Sequence, residues 1–402
     1  MKISALETLR LADHPNLIWV RVHTDDGVIG LGETYFGTAA VECDIHDRLA
    51  PLLLGQQAGR IEFLNAHMQP YTGFTGTGAE VRALSAVDVA LWDIAGKVAG
   101  VPLCELLGGN TRASIPVYNT CAGPDYVSKT SAVRPDNFGM AAGPRNDVPQ
   151  YEDLDAFMQC PDELAASLLE MGIESMKIWP FDFSAGAADG IDISTVDLKK
   201  GLVPFEKIRA VHGDRMRLKA ELHGLWSLNA ARKIVAALEP LDIDWIEDPV
   251  WMDRYDELAE LGGSTLSPLA GGETLAGLGQ FHALINQARI GTPILDVVWA
   301  GGVTLARKVA ALAEACARPI AFHDCSGPVT LAVSTHLALS LRNVREQEFT
   351  RAFYYGWYHE FVDQLPPVEN GHISVPREPG LGMALRPDIF GRSDAIHRIS
   401  RA

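Results

Sequence analysis

Arg217-Leu-Lys-Ala-Glu221, Ile243-Asp-Trp-Ile-Glu247 and Pro268-Leu-Ala-Gly-Gly-Glu273 are three short runs, each closed by a glutamate, and the glutamates stand 26 residues apart. That interval holds a strand and a helical crossover, since a crossover with its helix needs at least about 10–12 residues. The beat continues with Asp296 after Pro293-Ile-Leu, His323 after Pro319-Ile-Ala-Phe, and Glu348 near the end of Asn343-Val-Arg-Glu-Gln. In a closed parallel barrel the carboxyl ends of successive strands converge on one face, so the spacing brings these six residues together. Five of the six are carboxylates, and the three glutamates at even pitch are the hard oxygen ligands that a magnesium ion prefers. A single glutamate at a strand end is ordinarily a solvated surface residue; three at even pitch point to a metal centre.

Outward from these runs, the pattern from residue 113 onward is strand then helix, repeatedly. Strands are predicted at Ile115–Asn119, Ser175–Trp179, Arg217–Leu222, Asp244–Glu247, Pro268–Gly271, Ile294–Val298, Ile320–Phe322 and Val344–Glu348, with helices such as Leu228–Leu238 and Val303–Ala317 between them. The N-terminal part reads differently. Residues 1–60 are read as alternating in period two, and Leu17–His23 and Gly27–Glu33, joined across Thr24-Asp-Asp-Gly27, predict a hairpin. From Ala79 to Leu107 the apolar spacing becomes helical through Val81, Leu84, Val87, Leu91 and Ile94, and Gly108-Gly109 supplies a stop. The expectation is an α/β chain: an α+β capping domain over 1–112, completed by about 365–402, and a barrel over 113–364. Residues 122–153, rich in Gly, Pro, Asn and Asp, break the rhythm and predict a lid or an oligomer contact on the rim.

At 402 residues with 47% hydrophobic content, the chain has enough material for a barrel and a smaller partner domain. A net charge of −17 argues against nucleic acid or an anionic membrane as partner, both of which call for basic patches. The same charge makes long-range steering of an anionic substrate unfavourable, so an acid would have to be held by local cations: a metal and Lys177. Six cysteines without a CxxC pair read as reduced thiols. With no signal-like start and no run of about 18 apolar residues, the expected location is the cytoplasm.

Ala83-Leu-Ser-Ala-Val-Asp88-Val-Ala-Leu-Trp-Asp93-Ile-Ala-Gly96-Lys97, followed by Pro102-Leu103 and Leu106-Leu107-Gly108, resembles the signature helix of the mandelate racemase and muconate lactonizing enzyme families of the enolase superfamily. Ile246-Glu247-Asp-Pro249, Ala270-Gly-Gly-Glu273, Asp296 with Gly301-Gly302, His323-Asp-Cys-Ser-Gly-Pro328 and Pro379-Gly-Leu-Gly382 are similar to that family too. The resemblance implies a modified (β/α)7β barrel with an N-terminal α+β cap, and one Mg²⁺ held by Glu221, Glu247 and Glu273. It also implies abstraction of the proton beside a substrate carboxylate, with a His or Lys base. His323 is the candidate base and Asp296 its partner from the neighbouring strand. Glu348 matches the eighth-strand acid, which donates a hydrogen bond to the developing oxyanion, and the assignment could slip to Glu346, two residues earlier on the same face.

Two positions set the chain apart from mandelate racemase. The Lys-x-Lys pair of that enzyme is here Lys177-Ile178-Trp179, and an indole cannot take up a proton. Glu221-Leu-His223 places a histidine two residues beyond the first glutamate, on the same side of the strand. This resembles sugar-acid dehydratases such as galactonate dehydratase, where that histidine is the general acid, although that family carries Asp where Glu221 stands. The favoured expectation is therefore an Mg²⁺-dependent dehydratase of a hydroxylated sugar acid, with catalytic His323, Asp296, His223, Glu348 and Lys177. A racemase, epimerase or cycloisomerase on the same scaffold is the alternative, and a non-catalytic binding barrel is a third. Loops near Leu11–Asn16 and Thr34–Ala39 are expected to set specificity, with Trp179 and Tyr35 as pocket walls. A homo-oligomer is expected because barrels of this kind commonly associate.

Overall fold

The computed structural model describes residues 1–70, 76–131, 150–186 and 189–402. Two sheets organise them. The first is antiparallel, with β1 (Ile3–Leu11), β2 (His14–Thr24) and β3 (Ile29–Tyr35) in succession, and the C-terminal strand Ala395–Arg401 on the free edge of β1. The turn predicted between β2 and β3 is present, and Gly27 supplies its left-handed backbone at φ 84°. The helix Ala79–Ala99 lies across this sheet so closely that a Cβ at Gly30 or Gly32 would stand 2.0 Å from the Ala90 carbonyl oxygen or 1.9 Å from that of Ala86. Glycine at both positions is what lets β3 reach the helix backbone.

Asp93, inside that helix, ties three segments together. Its Oδ2 accepts hydrogen bonds from Leu31 N (2.8 Å) in β3 and from Lys97 Nζ (2.6 Å), and its Oδ1 accepts from Leu381 N (2.8 Å) in the Pro379–Gly382 tail. The tail thus returns to the N-terminal helix. The preceding His372–Ile373 does not: it pairs with the first barrel strand, at Ile115 and Pro116. A second correction concerns residues 36–60, where helical turns cover Thr38–Leu53 instead of alternating strand. The buried apolar side chains there are Val41, Ile45, Leu49 and Leu53, whose spacing of four belongs to a helix face.

The second sheet is a ring of eight parallel strands. In order these are β4 (Ile115–Thr120), β5 (Ser175–Ile178), β6 (Arg217–Glu221), β7 (Trp245–Glu247), β8 (Leu269–Gly271), β9 (Thr292–Leu295), β10 (Ala321–Phe322) and β11 (Gln347–Phe349). β11 pairs with β4, and a single bridge between Ile320 and Val344 closes the remaining seam. The helices Pro161–Glu170, Thr195–His212, Leu228–Leu238, Tyr255–Gly262, Gly277–Asn286, Gly302–Ala315 and Pro328–Ser340 connect consecutive strands, giving the (β/α)7β arrangement. The predicted strand Ile294–Val298 stops early, because the Asp296 side chain accepts from Val298 N at 2.8 Å and caps a short helix over Val297–Ala300. Among the described residues no helix is long and apolar enough to cross a membrane.

Replacing Asp93 with alanine leaves the Leu31 and Leu381 amides buried and unpaired. The expected cost is about 2–4 kcal/mol, read as a lower urea midpoint at unchanged slope.

Candidate active site

Register places the acidic side chains. Glu221 and Glu247 are direct neighbours across β6 and β7, while Glu273 lies just beyond β8. Gly271 and Gly272, at φ 148° and 120°, turn the chain there, a path that disfavours a side chain. One oxygen from each of Glu221, Glu247 and Glu273 falls within 4.8 Å of the others, and all three residues are buried. Glu247 Oε2 is fixed by Trp245 Nε1 at 2.8 Å, and Glu221 Oε1 by the amides of Leu222 (3.0 Å) and His223 (2.8 Å). Glu221 Oε2, also buried, accepts no hydrogen bond among the described residues, although Lys177 Nζ lies 3.2 Å away. Burial and the charge of Glu221 push the Glu247 pKa up to about 8, against the opposing pull of Lys177. Three converging carboxylates, one with an oxygen unused, fit a hard divalent cation.

Lys177, at the end of β5, is the one lysine of the cluster. Its Nζ lies 2.7 Å from Glu247, 3.0 Å from Glu348 and 3.2 Å from Glu221. Burial alone would lower its pKa, but Glu247 and Glu348 hold it well above the usual lysine value. Of the two candidate acids on the last strand, Glu348 faces this cluster. It also accepts from Thr120 Oγ1 and from Asp324 N at 2.8 Å. Glu346 sits one layer deeper in the barrel, paired with Arg217 (2.8 Å) and Lys219 (2.9 Å). Burial raises the pKa of Glu348, but Lys177 and His323 more than reverse this and bring it down to about 2. The side chain stands as an ionised acceptor of hydrogen bonds, so the donor role implied by resemblance would first require it to take up a proton.

Two histidines complete the site, each bonded to a buried carboxylate. His323 Nδ1 lies 2.8 Å from Asp296 Oδ2, and its Nε2 lies 3.4 Å from Glu273. His223 Nδ1 lies 2.5 Å from Asp182 Oδ2. For both rings burial favours the neutral form. Around His323 the charges of Glu273, Glu348 and Asp296 outweigh it and raise the pKa well above the ordinary value. Around His223, Glu221 and Asp182 do the same, to about 10. A bound cation would offset part of this carboxylate charge.

Lys177, Glu273, Glu348 and both histidines share one cavity of about 110 Å³. Lys177, Glu273, His323, Glu348, His223 and Thr120 line one part; Phe36, Tyr126, Val127, Trp179, Trp299 and Cys325 line the rest. Trp179 is among the described residues that line the cavity, and Tyr35 is not among them. Tyr35 is buried and its hydroxyl donates to the Val127 carbonyl at 2.9 Å, which also accepts from Asn16 Nδ2 at 2.6 Å. Phe36, at φ 66°, turns the chain and takes the place at the cavity. Of the segment 122–153, residues 122–131 and 150–153 are described, and Tyr126 and Val127 among them wall the cavity. Residues 132–149 lie outside the described residues, and the lid or oligomer reading rests largely on them.

Several residues of the site carried no sequence signal. Asp182 is one aspartate among many, five positions past Lys177. Tyr126 sits in an irregular loop. Trp299, whose ring is 4.9 Å from that of His323 and 4.4 Å from the Arg82 guanidinium, lies one residue past the strand predicted over Ile294–Val298.

A parallel barrel under an antiparallel cap, with three acidic strand ends and a histidine–aspartate pair at its carboxyl rim, defines an enolase-type barrel. The comparisons agree. Residues 6–108 match the mandelate racemase / muconate lactonizing enzyme N-terminal domain, and residues 161–389 match the enolase C-terminal domain-like family. The chain belongs to the mandelate racemase / muconate lactonizing enzyme family of the enolase superfamily. Among curated relatives, it is 27% identical to a D-xylonate dehydratase of Haloferax volcanii, covering 96% of this chain and 87% of that one. It is 30% identical to a D-galactonate dehydratase of Ralstonia nicotianae, covering 95% and 92%. A solved structure of an enolase of the mandelate racemase subgroup from Agrobacterium tumefaciens superposes with a TM-score of 0.88 at 42% identity, covering 100% and 99%.

If the triad is a cation site, Mg²⁺ at about 100 times its dissociation constant adds about 2.7 kcal/mol of stability, seen as a raised melting temperature that EDTA reverses. Glu221→Gln should abolish the Mg²⁺-dependent rise while leaving the metal-free melting temperature the same or higher, since it relieves carboxylate repulsion.

Proposed function

We propose that this protein is an Mg²⁺-dependent hydro-lyase that dehydrates a hydroxylated sugar acid of the aldonate or aldarate type to a 2-keto-3-deoxy acid. The observation that carries this reading is a pair of imidazoles on one small cavity, each bonded to a buried carboxylate, with the acidic triad alongside. The D-xylonate and D-galactonate dehydratases among its relatives support the same class of reaction. Glu221, Glu247 and Glu273 would hold the metal, which supplies positive charge against the substrate carboxylate.

The remaining work falls to side chains. A proton next to a carboxylate is hard to remove because a dianionic enediolate results. His323 takes it on Nε2, which requires a neutral ring and so the carboxylate charge around it offset, with Asp296 on Nδ1 fixing the tautomer and stabilising the imidazolium that forms. Lys177 holds its ammonium beside the charge that develops, and Glu348 and Thr120 anchor that end of the cavity. His223 then delivers a proton to the β-hydroxyl. The carbon–oxygen bond breaks, water leaves, and the resulting enol tautomerises to the keto acid. Trp179, standing where a second base would be needed for the mandelate racemase reaction, offers no proton acceptor, which disfavours that isomerisation.

The test is a library of acid sugars incubated with the Mg²⁺-loaded enzyme and assayed for 2-keto acid. Turnover of at least one member is expected, with His323→Asn lowering it about 10³-fold or more. His223→Asn should lower keto-acid formation about 10²-fold or more while still exchanging the α-proton with D₂O. Exchange or inversion at the α-carbon without keto acid in the unaltered enzyme would replace this reading with an isomerase.

A further inference from the structure

Asp182 lies in the turn that leaves β5, and its carboxylate is fully buried. Among the described residues its Oδ2 has one hydrogen-bond partner, His223 Nδ1, and its Oδ1 accepts no hydrogen bond. A buried carboxylate with half of its acceptor capacity unused is a net cost to the fold. A cost of that kind, spent beside a single cavity histidine, is explained by what it does to the histidine.

The surroundings of His223 fix the ring from several sides. Its backbone adopts the left-handed conformation at φ 47°, rare for a residue with a side chain, and its amide donates to Glu221 Oε1 at 2.8 Å. The Trp179 ring stands 5.8 Å away at 83°, and the Asp182 amide donates to the Trp179 carbonyl at 3.3 Å, so one turn carries both neighbours. With Nδ1 directed at Asp182, the nitrogen left toward the cavity is Nε2, which lies 3.4 Å from the Tyr126 hydroxyl. His323 is arranged in the same way, Nδ1 to a carboxylate and Nε2 to the site.

We propose that Asp182 is the positioning residue of the elimination half-reaction: by accepting from Nδ1–H it turns Nε2 of His223 to the substrate, the atom from which the imidazolium form of the ring protonates the departing β-hydroxyl. This rests on the dehydratase reading above and adds a residue that the sequence did not single out. Asp182 itself touches no reacting atom, so its removal should separate the two halves of the reaction.

The experiment uses the full chain, Mg²⁺-loaded, with an acid that the unaltered enzyme dehydrates. Keto-acid formation, deuterium entry at the α-carbon of unreacted substrate, and melting temperature are measured for Asp182→Asn and Asp182→Ala. Keto-acid formation is expected to fall about 10²- to 10³-fold, while α-exchange holds within about threefold or rises as the stalled intermediate returns. The melting temperature should stay the same or increase, because an under-bonded buried charge has been removed. Keto-acid formation that is unchanged, or that falls together with exchange, overturns the proposal. So does a melting temperature lowered by more than about 5 °C, which would make the carboxylate structural. An unaltered enzyme that makes no keto acid from any acid sugar removes the dehydratase reading itself; an active one with indifferent Asp182 variants removes only this assignment.

Discussion

Crowded negative charge is the constraint around which this barrel is built. Glu221, Glu247, Asp248, Glu273 and Glu348 are all buried at one end of it, with Lys177 as the single lysine among them. Two like charges about 4 Å apart repel by roughly 4 kcal/mol at the effective dielectric of a protein surface, and by more in a drier site. Burial and the neighbouring Glu273 hold the Asp248 carboxyl well above the ordinary carboxylate range, as expected where proton uptake is the available relief. The arrangement persists because the β6–β7 register and the Gly271-Gly272 turn leave the side chains nowhere else to go. Beneath them, Lys219 and Glu346 fill the next layer with a compensated pair, which keeps the lower barrel packed and the excess charge confined to the mouth.

The rhythm of β6 to β11 is legible because each ends at or beside a chemically distinctive residue at nearly constant pitch. Convergence of Glu221, Glu247, Glu273, Asp296, His323 and Glu348 follows from that pitch and from barrel closure alone. The failures have equally local causes. Asp296 falls inside the predicted strand Ile294–Val298 and caps a helix instead, which ends the strand at Leu295. Between residues 38 and 53 a spacing of four among Val41, Ile45, Leu49 and Leu53 prevailed over the alternation assumed for the whole of 1–60. At the end of β3 the positive φ of Phe36 exchanges the places of two adjacent aromatics, an event that no periodicity encodes. Asp182 was invisible for a different reason: its meaning lies in a contact spanning 41 residues of sequence.

The cap and barrel meet through specific hydrogen bonds, among them Thr304 N to Asp88 Oδ1 at 3.0 Å and Thr330 N to Glu33 Oε1 at 3.0 Å. Asn16 and Tyr35, both from the antiparallel sheet, hold the carbonyl of Val127, a β-branched residue at φ 45°. Such a backbone conformation is maintained only when its surroundings impose it. The wall formed by Tyr126 and Val127 is therefore shaped from outside the barrel, by residues that take no part in the chemistry.

The two histidines come from the third and seventh strands of an eight-membered ring, which stand diametrically opposed. A molecule lying between them presents one face to each imidazole. Its hydrogen and its hydroxyl would then leave from opposite sides, an antiperiplanar departure. Diastereomers that differ only at the carbon bearing that hydroxyl would consequently be told apart by the spacing of two strands, before any side chain in the wall is consulted.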